Sequence, residues 1–233
     1  ALIRHIDVEG NESDEVLDLA VLNSYHQTGL KSLLDRAVLD AEPDDRERPW
    51  VAAHAKRDEI PFDFQRRRLS VVVADPDPGH DLLICKGAVE EVLGVCRTVR
   101  ANGGEQPLDD SVRAQVRELV GDLNEDGLRV IGVATRSVPD HPTGHYTVSD
   151  ECDLTLVGFV AFLDPPKESA RPALAALAAS GIGVKVLTGD NERVARKVCR
   201  EVGLGDPVTL TGAQVDALSD ADLATRAEEA VLF

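Results

Sequence analysis

The stretch KVLTGDN, residues 185–191, decides the fold class. An apolar run stops abruptly at Thr188, Gly189 and Asp190, and residues from about Asn191 to Val202 carry a helical pattern closed by Gly203. A buried strand that passes at once into a helix is the building unit of parallel sheets. Ligands of such sheets lie beyond the carboxyl ends of the strands. There the next helix points free N–H groups outward and favours an anion. Thr188 can donate its hydroxyl to a phosphoryl oxygen, Gly189 allows close backbone approach, and Asp190 can hold Mg²⁺ or cap the helix. The same three residues also make an ordinary N-capped turn, and local physics leaves both readings open.

Working outward from this junction, a proline-started helix is expected from about Pro166 to Ser180, stopped by Gly181. Beyond it come a short strand, VTL at residues 208–210, and a helix opened by the capping-box pair Thr211 and Gln214. The texture before residue 164 differs. LSVVVA (69–74) and DLLICK (81–86) flank DPDPG (75–79), which predicts a β-hairpin. LRVIGVAT (128–135) and LTLVGFVAFL (154–163) read as further strands, separated by a polar loop over 139–150. Helices are expected within residues 12–40, where Val16, Leu19, Ala20 and Leu22 form a stripe after Asn11 and Ser13. Another is expected where Val112, Val116, Leu119, Val120 and Leu123 recur at helical spacing before Gly127. The fold class is therefore α/β: an α+β module with a mixed antiparallel sheet over 1–163, then part of a Rossmann-like module over 164–233.

Composition narrows the function classes. With 25 basic and 42 acidic residues the net charge is −17, a field that repels nucleic acid and anionic membrane surfaces. The four cysteines, Cys85, Cys96, Cys152 and Cys199, have no paired spacing, and three stand in apolar stretches that read as core. A reducing, cytosolic setting fits this usage. No apolar run approaches a membrane span. The chain contains no methionine, its first position included, so a segment of a longer polypeptide is expected.

Three ordered motifs carry a family resemblance. DPPKES (164–169) precedes TGDN (188–191), and ICKGA (84–88) precedes both. The set resembles P-type cation-transporting ATPases: ICKGA is similar to their nucleotide-domain signature, the other two to their phosphorylation-domain signature. PFDFQRRRLSV (61–71), LICKGAVEEV (83–92) and FLDPPKESA (162–170) look most like the bacterial magnesium-transporting subgroup. The resemblance implies a nucleotide-binding domain over 1–163, a truncated phosphorylation domain of the haloacid-dehalogenase type over 164–233, and MgATP as the ligand.

Residue by residue, the resemblance makes Phe62 the adenine-stacking ring and Lys86, beside Gly87, a lining of the base pocket. Asp35 is similar to an acid that meets the base, although by its own chemistry it reads nearly as well as a surface acid; Arg67 occupies the place of a phosphate-facing cation, and Arg129 matches an arginine near the β-phosphate and ribose. Asp164 corresponds to a hinge acid. Lys167 stands where many relatives have arginine, so the bidentate geometry of a guanidinium is lost there. From residue chemistry alone, Phe62 and Phe64 alternate with Ile60 as on one strand face, and Phe64 reads as core.

The family phosphorylates an aspartate in Asp-Lys-Thr-Gly-Thr, a sequence this chain does not contain. The resemblance places that aspartate, the transmembrane helices, the actuator domain and the rest of the phosphorylation domain elsewhere on the polypeptide. The segment itself is expected to be monomeric, cytoplasmic beneath a bacterial inner membrane, able to bind ATP and inactive alone. Two rival readings exist. Asp75-x-Asp77 after a strand resembles the nucleophile motif of soluble haloacid-dehalogenase phosphatases, although Pro76 and Pro78 remove N–H groups that cradle phosphate. A non-enzymatic interaction module would instead use the acidic surface. His141 and His145 make no helical metal pair with Pro142 and Gly144 between them, so no metal site is expected.

Overall fold

The computed structural model describes residues 1–29, 31–41, 51, 53–75, 79–140, 144–163, 166–189 and 191–233. It separates into two compact units, residues 1–120 with 130–162, and residues 121–129 with 163–233. Asp164, Asp190, Asp77 and His141 lie outside the described residues.

The first unit is built on one eight-stranded sheet. Its strands are β1 (Leu2–Asp7), β2 (Lys56–Ile60), β3 (Arg68–Ala74), β4 (His80–Ala88), β5 (Cys96–Ala101), β6 (Gly104–Pro107), β7 (Leu128–Pro139) and β8 (Leu154–Leu163). The order runs β2-β3-β4-β7-β8-β5-β6, and β1 also pairs with β8. β3 and β4 form the antiparallel hairpin expected of their sequence, in register from Arg68 opposite Gly87 to Ala74 opposite Asp81. β5 runs parallel to β8, whereas β1 pairs antiparallel with its other end, so the sheet is mixed. β8 is apolar and buried almost throughout, as a strand covered on both faces must be.

Helices cover this sheet where the apolar stripes predicted them. α1 (Asp14–His26) starts at Ser13, whose side chain accepts from Val16 N–H. α2 (Leu33–Asp40) starts at Ser32 with a reciprocal capping box to Asp35. A short α3 (Val89–Leu93) follows β4, and α4 (Asp110–Glu125) carries the predicted stripe and ends before Gly127, at φ +76°. Val16, Leu19 and Val21 of α1 and Val38 of α2 pack with Val71, Val73, Ile84, Val133 and Phe162 of the sheet. Each such side chain contributes about 1.5–3 kcal/mol on burial. The approach is close enough at one point to require glycine: a Cβ on Gly158 would stand 2.1 Å from Ile6 O and 2.6 Å from a Val16 methyl.

The second unit contains α5 (Ala170–Ala179), α6 (Glu192–Glu201), α7 (Gly212–Ala217) and α8 (Asp220–Glu229). Val186 and Thr209 each bridge Leu232 in parallel, so strand–helix alternation does yield parallel pairing. Three expectations need correction. The runs at 184–188 and 208–210 are not strands: the pairing of each reduces to one bridge, and Leu187 and Val208 are exposed. α5 begins at Ala170, after a turn closed by Ala170 N–H to Lys167 O at 2.8 Å, not at Pro166. And β2 ends at Ile60, so Phe62 and Phe64 do not share a strand face with it.

Candidate nucleotide-binding site

Two sequence-separated members of the predicted site meet in the interior. Lys86 near the end of β4 is 8% exposed, and Asp35 in the first turn of α2 is 4% exposed. Lys86 Nζ donates to Asp35 Oδ1 at 2.7 Å and to Ser24 Oγ. Asp35 also accepts from Ser24 Oγ at 3.1 Å and Gln27 Nε2 at 2.8 Å. Ser32 N–H and Ser32 Oγ complete the set at 3.0 and 2.7 Å. Burial pushes the Asp35 carboxyl up, but the Lys86 ammonium and the Lys86 and Ser32 hydrogen bonds outweigh it and bring the pKa to about 2. Burial pushes Lys86 down, and Asp35 opposes that shift. The surface-acid alternative for Asp35 is thereby removed.

Gly87 continues the site toward the β3–β4 pair. A Cβ there would stand 2.4 Å from Arg68 Cβ and 2.6 Å from Arg67 O, so no side chain fits. Ala88 N–H donates to Arg67 O at 3.0 Å, which clamps the two strands at this point. Arg67 itself takes φ +47°, the left-handed region that few side-chain-bearing residues adopt. Its guanidinium reaches Glu91 at 3.1 Å and stays half exposed. Asp35, Lys86, Gly87 and Arg67 therefore form a continuous set.

Phe62 lies on the loop that leads into Arg67. Pro61 supplies no N–H to extend the ladder, and Asp63 then folds the chain: its Oδ1 accepts from Gln65 and Arg66 N–H at 2.7 and 2.8 Å, and its carbonyl accepts from Arg67 N–H at 2.8 Å. This is the physical reason the strand alternation fails beyond Ile60. Phe62 is 49% exposed and meets Phe64 edge to face at 5.5 Å between centroids. Phe64 is 90% exposed, so its assignment to the core was wrong.

The remaining predicted residues lie in the second unit. Arg129 is exposed at the start of β7, within the segment grouped with that unit. Thr188 N–H donates to Phe233 O at 2.9 Å, and Gly189 follows with nothing within 4 Å of the position a Cβ would take. Asn191 caps α6, its side chain accepting from Arg193 N–H at 2.9 Å. Thr188 and Gly189 are thus exposed immediately before a capped helix.

Sequence reasoning missed three contributors. Ser24 and Gln27 project from α1 into the Lys86 network, and Glu151 anchors the Phe62 loop from a distant segment. The Ser32-x-x-Asp35 spacing was a readable signal for Asp35 at the third helical position. Nothing local marks Glu151. Among the described residues, the side-chain amide oxygens Gln27 Oε1 and Asn23 Oδ1 are buried without a hydrogen-bond partner. Buried acceptors of this kind are uncommon in folded proteins, and they sit beside the Lys86 network because Asn23, Ser24 and Gln27 are near neighbours on one helix end.

The phosphatase rival fails on topology. Asp75 follows a strand that turns back into an antiparallel partner, with Asp75 N–H donating to His80 O at 3.3 Å. A phosphatase nucleophile instead requires a parallel strand passing into a phosphate loop. Among the described residues no group of three or more potential metal ligands occurs, and His145 pairs with Asp58 at 3.2 Å. The four cysteines are free, with Cys85, Cys96 and Cys199 buried. Among the described residues no helix is long and apolar enough to cross a membrane.

The family model described as P-type ATPase, cytoplasmic domain N, matches residues 4–169. The chain belongs to this P-type ATPase family. Over 232 residues and its whole length it is 50% identical to the "Magnesium-transporting ATPase, P-type 1" of Escherichia coli (strain K12), of which it covers 26%. It is 51% identical, over the same 232 residues and 26% share, to the protein of that name in Salmonella typhimurium (strain LT2). A calcium-transporting ATPase of Listeria monocytogenes is 28% identical over 177 residues, which cover 75% of this chain and 20% of the relative. The chain thus spans about a quarter of the length of the magnesium-transporting relatives. The domain-N match takes in the Asp35–Lys86 pair, Gly87 and the Phe62–Arg67 loop.

Proposed function

We propose that this chain is the ATP-binding cytoplasmic part of a P-type pump that moves a cation, Mg²⁺, across the membrane. The observation that carries the proposal is identity of half the residues, over the whole chain, with proteins named magnesium-transporting ATPases. In this reading residues 1–163 are the nucleotide-binding domain and residues 164–233 part of the phosphorylation domain. The acceptor aspartate, the membrane helices and the actuator domain belong to the remainder of the parent polypeptide, and this chain lies on the cytoplasmic side of a bacterial inner membrane.

The residues of the first unit suit an adenine nucleotide. A purine needs a flat apolar face, and Phe62 offers a ring that is half open to solvent. Lys86, held charged by Asp35, shapes the neighbouring wall and sets its potential. Arg67 is the cation with a half-exposed guanidinium on the same strand-end, suited to a phosphate oxyanion. ATP, when bound with Mg²⁺, supplies the phosphoryl group that the whole pump transfers. Thr188, Gly189 and Asp190 are the phosphoryl-site residues of this chain, Arg129 is assigned to the phosphates and ribose, and Asp164 to the hinge.

Titration of isotope-labelled protein with MgATP tests the reading. Resonances of Phe62, Lys86 and Arg129 should shift together, and unchanged spectra at millimolar nucleotide would reject the site. Transport of Mg²⁺ is tested in the parent pump sealed in vesicles with MgATP, where ATP-driven movement of another divalent cation and not of Mg²⁺ would reject the cargo.

A further inference from the structure

We infer that Glu151 is a positioning residue of the nucleotide site, acting through Arg66 to hold the loop that presents Phe62. The inference rests on the ATP-binding reading of that loop. Glu151 precedes β8 in sequence, far from the loop, yet its carboxylate is fully buried between three donors. Arg66 Nη1 donates to Oε2 at 2.6 Å, Arg68 Nε to the same oxygen at 2.9 Å, and Ser70 Oγ to Oε1 at 2.8 Å.

Arg66 links this buried acid to the loop backbone. Its Nη2 donates to Pro61 O at 2.6 Å, its Nε to Asp63 Oδ2, and its own N–H to Asp63 Oδ1 at 2.8 Å. One guanidinium therefore grips the residues on both sides of Phe62, and Glu151 fixes that guanidinium to the sheet. β2 ends at Ile60, and from there to the Arg67–Ala88 clamp the loop is held by the Asp63 turn and by this grip in place of a strand ladder. Arginine suits the task because its planar fork holds several acceptors at once. A ring held in place before the ligand arrives loses less freedom on stacking, and the gain appears as affinity. Ordinary core packing does not explain the arrangement, since a buried charged cluster is no more stabilising than apolar residues of equal volume.

The test is a double-mutant cycle on MgATP affinity, measured by calorimetry on the whole chain, with melting recorded for each variant. Glu151→Gln should raise Kd about tenfold, part of what a base–aromatic stack contributes. Phe62→Ala should raise it at least as far. In the double variant the Glu151→Gln effect should disappear, because the ring it positions is gone. Equal losses with and without Phe62 would show that Glu151 acts on the fold at large and would overturn the inference, as would wild-type affinity in Glu151→Gln. If that variant does not fold, Arg66→Gln takes its place, because Glu151 then keeps Arg68 and Ser70; it should show the same coupling to Phe62, and additivity there refutes the idea equally. Absence of MgATP binding by the wild-type chain at millimolar concentration is a separate result, which removes the nucleotide reading and this inference with it.

Discussion

The two partners of the buried ion pair should not be equally costly to remove. Replacing Lys86 by methionine leaves the Asp35 carboxylate with Ser24 Oγ, Gln27 Nε2, Ser32 N–H and Ser32 Oγ as donors. Replacing Asp35 by asparagine leaves the Lys86 ammonium, among the described residues, with Ser24 as its one remaining acceptor and no counter-charge in contact. Breaking a buried pair costs about 3–5 kcal/mol when the survivor is uncompensated. Asp35→Asn should fall in that range, while the retained donors should reduce Lys86→Met to about 2 kcal/mol. For a chain of this size each kcal/mol lowers Tm by about 2–4 °C. Urea denaturation of both single variants and the double variant measures the asymmetry and the coupling. The double variant should lose at least about 1.5 kcal/mol less than the sum of the singles. If Lys86→Met costs as much as Asp35→Asn, or the two losses add, the pair is not the buried unit described.

Other outcomes follow from the same geometry. The Asp35 carboxyl titrates near 2, below its ordinary 3.8, so its contribution is present above pH 3.8 and is lost as pH falls toward 2. Lys86 stays protonated across that window, and acid unfolding from pH 4 to 2 should be shallower in Asp35→Asn by about 2 kcal/mol; parallel curves would contradict the shift. Gly87→Ala should destabilise by at least about 1–3 kcal/mol, because its methyl meets backbone and not a movable side-chain tip; a wild-type Tm would refute the close approach. Phe62→Ala should change stability by less than about 0.5 kcal/mol, since the ring is half exposed, while weakening MgATP binding. Cys152 is exposed, whereas burial raises the Cys85 and Cys96 thiols to about 12. A thiol reagent should therefore label Cys152 first and reach Cys85 and Cys96 only on unfolding, and rapid labelling of either would contradict their burial.

Most of the elements, and the family, are legible in local signals along the chain. Asn11 and Ser13 announced α1, DPDPG announced the β3–β4 hairpin, and the apolar run at 154–163 announced a strand, because capping, turn chemistry and apolar patterning are local signals. The motifs ICKGA, DPPKES and TGDN carried the family resemblance because they stand in one order along the chain. Tertiary structure decided what those signals could not. Periodicity placed Phe64 in the core and extended β2 through it, but Pro61 and the Asp63 turn end the strand and turn Phe64 to solvent. Asp35 read equally as a surface acid until folding brought Lys86 against it from 51 residues away. Glu151 carried no local signal, since a lone acid before a strand is uninformative until Arg66, Arg68 and Ser70 close around it. A buried charge is set by which distant partners arrive, and that is a property of the packed chain.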